Sequence, residues 1–145
     1  MRSKDEWQTL YAAMKDIALP VSRETGVLLY QLVRATGARN VVEFGTSFGL
    51  STLHLAAALR DNGGGQVITS EFEPGKAARA QAHLEQTGLA DLVTIRIGDA
   101  LETLARDIPA PVDLVLLDGA KALYGDILAL LEPPSEAAPV RRAGT

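Results

Sequence analysis

The stretch that decides the fold is Val41-Val42-Glu43-Phe44-Gly45-Thr46-Ser47-Phe48-Gly49-Leu50-Ser51-Thr52. Two β-branched residues and an acid lead into glycines four apart, and a helical pattern follows directly. That is a strand, a glycine loop and a helix N-terminus, the place where open α/β sheets bind ligands beyond the carboxyl ends of their strands. Gly45 permits the tight turn, and Gly49 lets a ligand and the helix come close to the backbone. A carboxylate at Glu43 is costly to bury unless it accepts hydrogen bonds, so a cationic or N–H-bearing partner is expected for it. The competing reading is an ordinary strand–helix turn with glycines for geometry alone; the acid two residues before Gly45 argues against it.

Working outward, Trp7, Leu10, Tyr11, Met14 and Ile17 recur at helical spacing within Lys4–Ile17. They form one amphipathic stripe, packed on its own domain or shared with a second subunit. Pro20 breaks the chain. Ser22 then suits an N-cap for a helix through Val33, with Gly37 as its stop. Beyond the quoted stretch, a helix is expected over Leu50–Arg60 and a strand over Gln66–Glu71. Pro74 fits a first helical position, and Gly88 stops that helix after Thr87. Leu92–Ile97 and Val112–Asp118 read as strands, Asp99–Arg106 and Ala120–Leu131 as helices. Strands alternating with helices imply right-handed crossovers and a parallel, doubly wound α/β sheet. Residues 1–19 are thus an N-terminal helix and residues 20–132 a Rossmann-like domain. Residues 133–145 have neither period and three prolines, as a disordered tail would.

Bulk properties bound the function. At 145 residues, with 47% apolar and 22% charged residues, the chain reads as one globular domain. A net charge of −4 argues against nonspecific nucleic-acid binding. The absence of cysteine removes disulfides, thiolate metal sites and cysteine nucleophiles. No apolar run reaches membrane-spanning length, and no secretory leader is visible, so a soluble cytoplasmic protein is the default expectation.

Charged residues gather at the carboxyl ends of the expected strands. Glu71 closes the second, Asp99 follows the third, and Asp118 ends the fourth with Lys121 three residues on. An acid at the end of a second strand can accept from both hydroxyls of a ribose. The loop is G-x-x-x-G and lacks the third glycine of a dinucleotide fingerprint, which disfavours a pyrophosphate and a NAD-binding module. A ligand with an ammonium and no phosphate suits it better, and S-adenosylmethionine is such a ligand.

Val42–Thr52, Thr69-Ser70-Glu71, Gly98-Asp99-Ala100 and Leu116-Leu117-Asp118-Gly119-Ala120-Lys121 together resemble the class I S-adenosylmethionine-dependent O-methyltransferases. The nearest likeness is to their cation-dependent catechol and caffeoyl-CoA branch, and it covers about Pro20 to Leu131. The resemblance implies a Rossmann-like sheet of strand order 3-2-1-4 and a small hydroxylated methyl acceptor. It implies that Glu43 and the loop Gly45-Thr46-Ser47-Phe48-Gly49 cradle the methionine end of the cofactor, with Ser51 helping to hold its carboxylate. Val21 would pack on the cofactor, Glu71 would take the ribose, and Asp99 with Ala100 would flank the adenine. Asp118 would ligate a divalent cation, usually magnesium, and Lys121 would take the acceptor's proton.

One departure qualifies this. The family's next strand supplies an Asp-Asn pair to the metal site, and no such strand follows here, so the expectation is a truncated form with impaired or no turnover. Strand four would then be an open edge inviting self-association, as would the N-terminal helix. Two other readings stand beside it: a noncatalytic remnant that binds S-adenosylmethionine or merely self-associates, and a serine hydrolase. Gly45-Thr46-Ser47-Phe48-Gly49 matches G-x-S-x-G, but a hydrolase needs a histidine after its acid, and His54 and His83 both precede Asp118.

Overall fold

The computed structural model describes residues 22–132; Val21, the helix expected at Lys4–Ile17 and the tail expected at 133–145 lie outside them. Helix α1 (Arg23–Thr36) opens at Ser22, whose hydroxyl accepts from the Thr25 N–H, and ends at Gly37 in the left-handed conformation. Strand β1 (Asn40–Phe44), helix α2 (Leu50–Asp61), strand β2 (Gln66–Glu71) and helix α3 (Pro74–Gln86) follow. A 3-10 turn (Ala90–Leu92) precedes strand β3 (Val93–Ile97) and the single-turn helix α4 (Ala100–Thr103). Strand β4 (Leu114–Leu117), a second 3-10 turn (Lys121–Leu123) and helix α5 (Tyr124–Leu131) complete the described chain.

The strands pair in parallel in the order β3-β2-β1-β4, as the sequence implies. Successive strand residues point to opposite faces, and both faces are covered. Val41 and Val67 join Leu29, Val33, Leu55, Leu59 and Leu84 in one core, under α1, α2 and α3. Val42, Phe44 and Ile68 join Leu104, Leu123 and Ile127 in the other, under α4 and α5. Each fully buried leucine contributes about 2 kcal/mol by removal from water, so the two layers hold the sheet between them.

Three elements differ from expectation. The helix expected over Asp99–Arg106 is one turn long, because the Arg96 guanidinium in β3 takes the carbonyls that would continue it. It donates to Thr103 O at 2.7 Å, Arg106 O at 2.8 Å and Asp107 O at 2.6 Å. Strand β4 starts at Leu114 and not at Val112, because Asp113 turns its carboxylate to the start of β1 and accepts from the N–H groups of Arg39 and Asn40. Those two bonds hold the Asp113 carboxyl below its usual pKa. The last helix begins with a 3-10 turn at Lys121–Leu123 before α5 proper.

The glycine loop closes without room for side chains. Gly45 has φ 101°, and a Cβ there would lie 2.8 Å from Asp118 O. Gly49 has φ 88°, and its Cβ would lie 2.9 Å from the Ala80 Cβ of α3. Only glycine meets both demands. At Gly49 the close neighbour in the Cβ direction is therefore helix α3.

Candidate cofactor cleft

A cleft opens at the carboxyl ends of the strands. Phe44 and Gly45 from β1 and Ser70, Glu71 and Phe72 from β2 form two of its walls. Gly98, Asp99 and Ala100 beyond β3, and Gly119, Ala120 and Leu123 beyond β4, form the others. Its surface is mainly apolar, with a carboxylate at Glu71 and another at Asp99.

Glu71 anchors the site. It is 3% exposed, and its oxygens accept from the N–H groups of Ser47 at 2.7 Å and Glu73 at 2.9 Å. A carboxylate offers about four acceptor sites, so each oxygen keeps a lone pair for a further donor. The bond to Ser47 also offsets a strained backbone, since Ser47 sits at φ 51°, a left-handed value costly for residues with a Cβ. Asp99 accepts from Leu101 N at 3.0 Å as the N-cap of α4, which sets Ala100 against the cleft.

Glu43 is placed otherwise than the sequence reading expected. It shares a strand face with Val41 and points under α2, fully buried, and it is not a wall of the cleft. Its partners are hydroxyls, not a cation or an N–H. Ser51 donates to one oxygen, and Thr52 and Thr69 donate to the other. Because Thr69 gives its hydrogen to Glu43, Thr46, 2.6 Å away, must be the donor to Thr69. Three hydroxyls thus point inward at one carboxyl, and a fourth, that of Thr46, backs one of them. Burial pushes its pKa up to about 7, against the pull of the three hydroxyls, and nearby Asp118 adds to the rise. The picture of a ligand held between two carboxylates at Glu43 and Glu71 is corrected: Glu71 faces the cleft and Glu43 stands behind the loop.

The remaining candidates divide. Gly45, Glu71, Asp99 and Ala100 meet at the cleft. Thr46 is 1% and Ser51 5% exposed, beneath the loop with Glu43, and Gly49 is buried against α3. Ser47 is half-buried beside them. Asp118 and Lys121 are exposed just outside the wall formed by Gly119 and Ala120. Desolvation nevertheless raises the Asp118 pKa. Sequence reasoning assigned no role to Phe44, Phe72 or Leu123; for the two phenylalanines, a large apolar residue at or next to a strand's carboxyl end was the available signal.

Two chemistries can be weighed on this geometry. Among the described residues no group of three His, Cys, Asp or Glu, with Asp118 or without it, could hold a metal ion. Magnesium takes a near-octahedral set of oxygens, so these residues do not fit it. A serine-hydrolase relay is not formed either. The Nδ1 of His54 bonds Leu50 O and that of His83 bonds Phe48 O, each at 2.8 Å, and neither histidine bonds Ser47.

Comparison with known proteins identifies the family. A family profile described as "Methyltransferase domain" matches residues 42–133. A catechol O-methyltransferase of Niastella koreensis is 36% identical over 110 residues, which are 74% of this chain and 49% of that protein. One of Mycobacterium tuberculosis is 39% identical over 103 residues, 71% of this chain and 46% of that protein. The crystal structure of a Bacillus cereus O-methyltransferase in complex with SAH superposes with TM-score 0.75 at 34% identity, covering 90% of this chain and 61% of that one. The chain spans about half the length of the curated relatives it matches. No helix among the described residues is long and apolar enough to cross a membrane. With the family profile spanning the loop, the cleft and all four strand ends, the chain belongs to the methyltransferase-domain family.

Proposed function

We propose that the chain binds S-adenosylmethionine in this cleft, as the cofactor half of an O-methyltransferase acting on a small hydroxylated acceptor. One observation carries the reading: Glu71 lies on the wall of an apolar cleft with its carboxylate already oriented by two backbone N–H groups. An oriented carboxylate receives a vicinal diol without reorganising, and the apolar walls beside it suit a purine. Glu71 holds the ribose, Gly98-Asp99-Ala100 flank the adenine, and the Gly45 turn receives the methionine end. The relatives named as O-methyltransferases, one of them solved with SAH, support the same assignment. When bound, the cofactor supplies a sulfonium methyl for in-line transfer to an oxygen nucleophile.

Lys121, exposed beyond the cleft wall, is the residue we assign to the acceptor's proton. No step is routed through a metal, because Asp118 lacks companions of the kind magnesium requires. Turnover by this chain alone is accordingly impaired or absent, and a noncatalytic S-adenosylmethionine-binding protein is the reading that follows if it is absent. Within the described sheet β4 is an edge, all four of its residues half-buried, which favours self-association through that edge.

Calorimetry with SAM and SAH tests the binding. The wild-type chain is expected to bind both, and Glu71→Ala to weaken binding by about tenfold or more. No binding by a folded wild-type chain overturns the reading. A methyl-transfer assay on a catechol, with and without magnesium, separates an active chain from a noncatalytic one. Light scattering that shows a monodisperse monomer at high concentration removes the self-association.

A further inference from the structure

The side of the cleft formed by β1 and β4 is braced from behind by a residue that does not line it. Gly119 lies flat on the Phe44 ring, so closely that a Cβ there would stand 2.5 Å from the Phe44 Cζ. Asp118 N donates to Phe44 O at 2.9 Å, and Asp118 O presses on Gly45. The ends of β1 and β4 are therefore in backbone contact, and three residues of this junction, Phe44, Gly45 and Gly119, are cleft wall. Two glycines and no side-chain hydrogen bond within the wall leave this junction little of its own to hold it in place.

Tyr124, the first residue of α5, supplies what the junction lacks. Its ring meets Phe44 edge-on, with centroids 6.1 Å apart and planes at 84°, the arrangement aromatic pairs prefer. Its hydroxyl donates to Gly119 O at 3.2 Å. One side chain thus fixes both faces of the junction, the ring from below and the carbonyl from the side. Loss of solvent, with Asp118 nearby, raises the phenol's pKa, so it remains a donor well above neutral pH.

We propose that Tyr124 is a positioning residue for the cofactor: its hydroxyl, acting through the Gly119 carbonyl, holds the β1–β4 wall of the cleft in its binding shape. This rests on the proposed function of the cleft. The contribution is separable from fold stability, because the hydroxyl bonds one loop carbonyl in a half-buried place while the ring does the packing. Removing the hydroxyl alone should cost binding and leave the fold intact.

The experiment compares the 145-residue chain with Tyr124→Phe and Tyr124→Leu, by calorimetry with SAH, thermal unfolding, and hydrogen exchange of the free proteins. Tyr124→Phe is expected to raise the Kd for SAH about fivefold, the scale of one neutral hydrogen bond. Its Tm should move by less than about 2 °C, and the Asp118 amide, bonded to Phe44 O, should exchange faster before any ligand is added. Tyr124→Leu, which also loses the ring, should lower both affinity and Tm. A Tyr124→Phe chain that binds SAH like the wild type, or that loses affinity and Tm in proportion, overturns the proposal while the cofactor reading stands. A folded wild type that binds no SAH overturns both.

Discussion

The two ends of β1's neighbourhood are built in different ways. On the α2 side, around the glycine loop, a buried carboxyl gathers three hydroxyls, one of them backed by Thr46, and Glu71 fastens the loop through Ser47 N. On the β4 side, Asp118 is exposed and every residue of the strand is half-buried. The first region is over-determined by internal bonds and the second is held by a few contacts. A site joining them has one rigid wall and one wall that depends on its braces.

The sharpest way to break that contrast is Glu43→Ala. It leaves a cavity and three buried hydroxyls without their acceptor, so we expect a loss of about 4 kcal/mol, read by urea unfolding. A loss below about 1 kcal/mol would show that the hydroxyls find other partners and that the region is not over-determined. The next effect is a dependence on pH. Glu43 releases its proton near 4.5 when unfolded and near 7 when folded, so between those values the folded state holds more protons. Stability therefore falls as pH rises through that window, by about 3 kcal/mol in total, and the loss is complete above it. Glu43→Gln should remove this slope; an unchanged slope would assign it to other groups.

Smaller effects follow. Gly49→Ala forces a Cβ against Ala80 at a left-handed φ, and about 2 kcal/mol of stability should be lost. Asp118→Asn, on the loosely built side, should change stability by less than about 0.5 kcal/mol. It should also lower the Glu43 titration midpoint slightly, since Asp118 contributes to its rise. A large loss at Asp118 would mean that the two sides are built alike.

The direction of the strands was legible because apolar and β-branched runs alternate with helical patterns and end at glycines or acids, whereas their order came from the family resemblance. Parity was legible as well: Val41 and Glu43 must share a face. What could not be read was that α2 covers that face down to Thr52, which is why Glu43 meets hydroxyls and not a ligand. Glu71, of the same parity in β2, reaches the cleft because it is the last residue of its strand. The length of α4 was illegible for a different reason. Its limit is set by Arg96, seven residues before the first carbonyl it takes, and no local propensity carries that information. Phe44 and Phe72 were missed because an apolar side chain at a strand end reads as core until the neighbouring walls are known.

The Arg96 contact has a consequence for the far rim. A single planar cation ties the backbone of residues 103, 106 and 107 to β3, and Gly98, Asp99 and Ala100 hang between those anchoring points. Lysine at this position would keep the charge and lose the fork that reaches three oxygens at once. The shape of this far rim is thus set by the flatness of one guanidinium, and its positive charge alone would not preserve it.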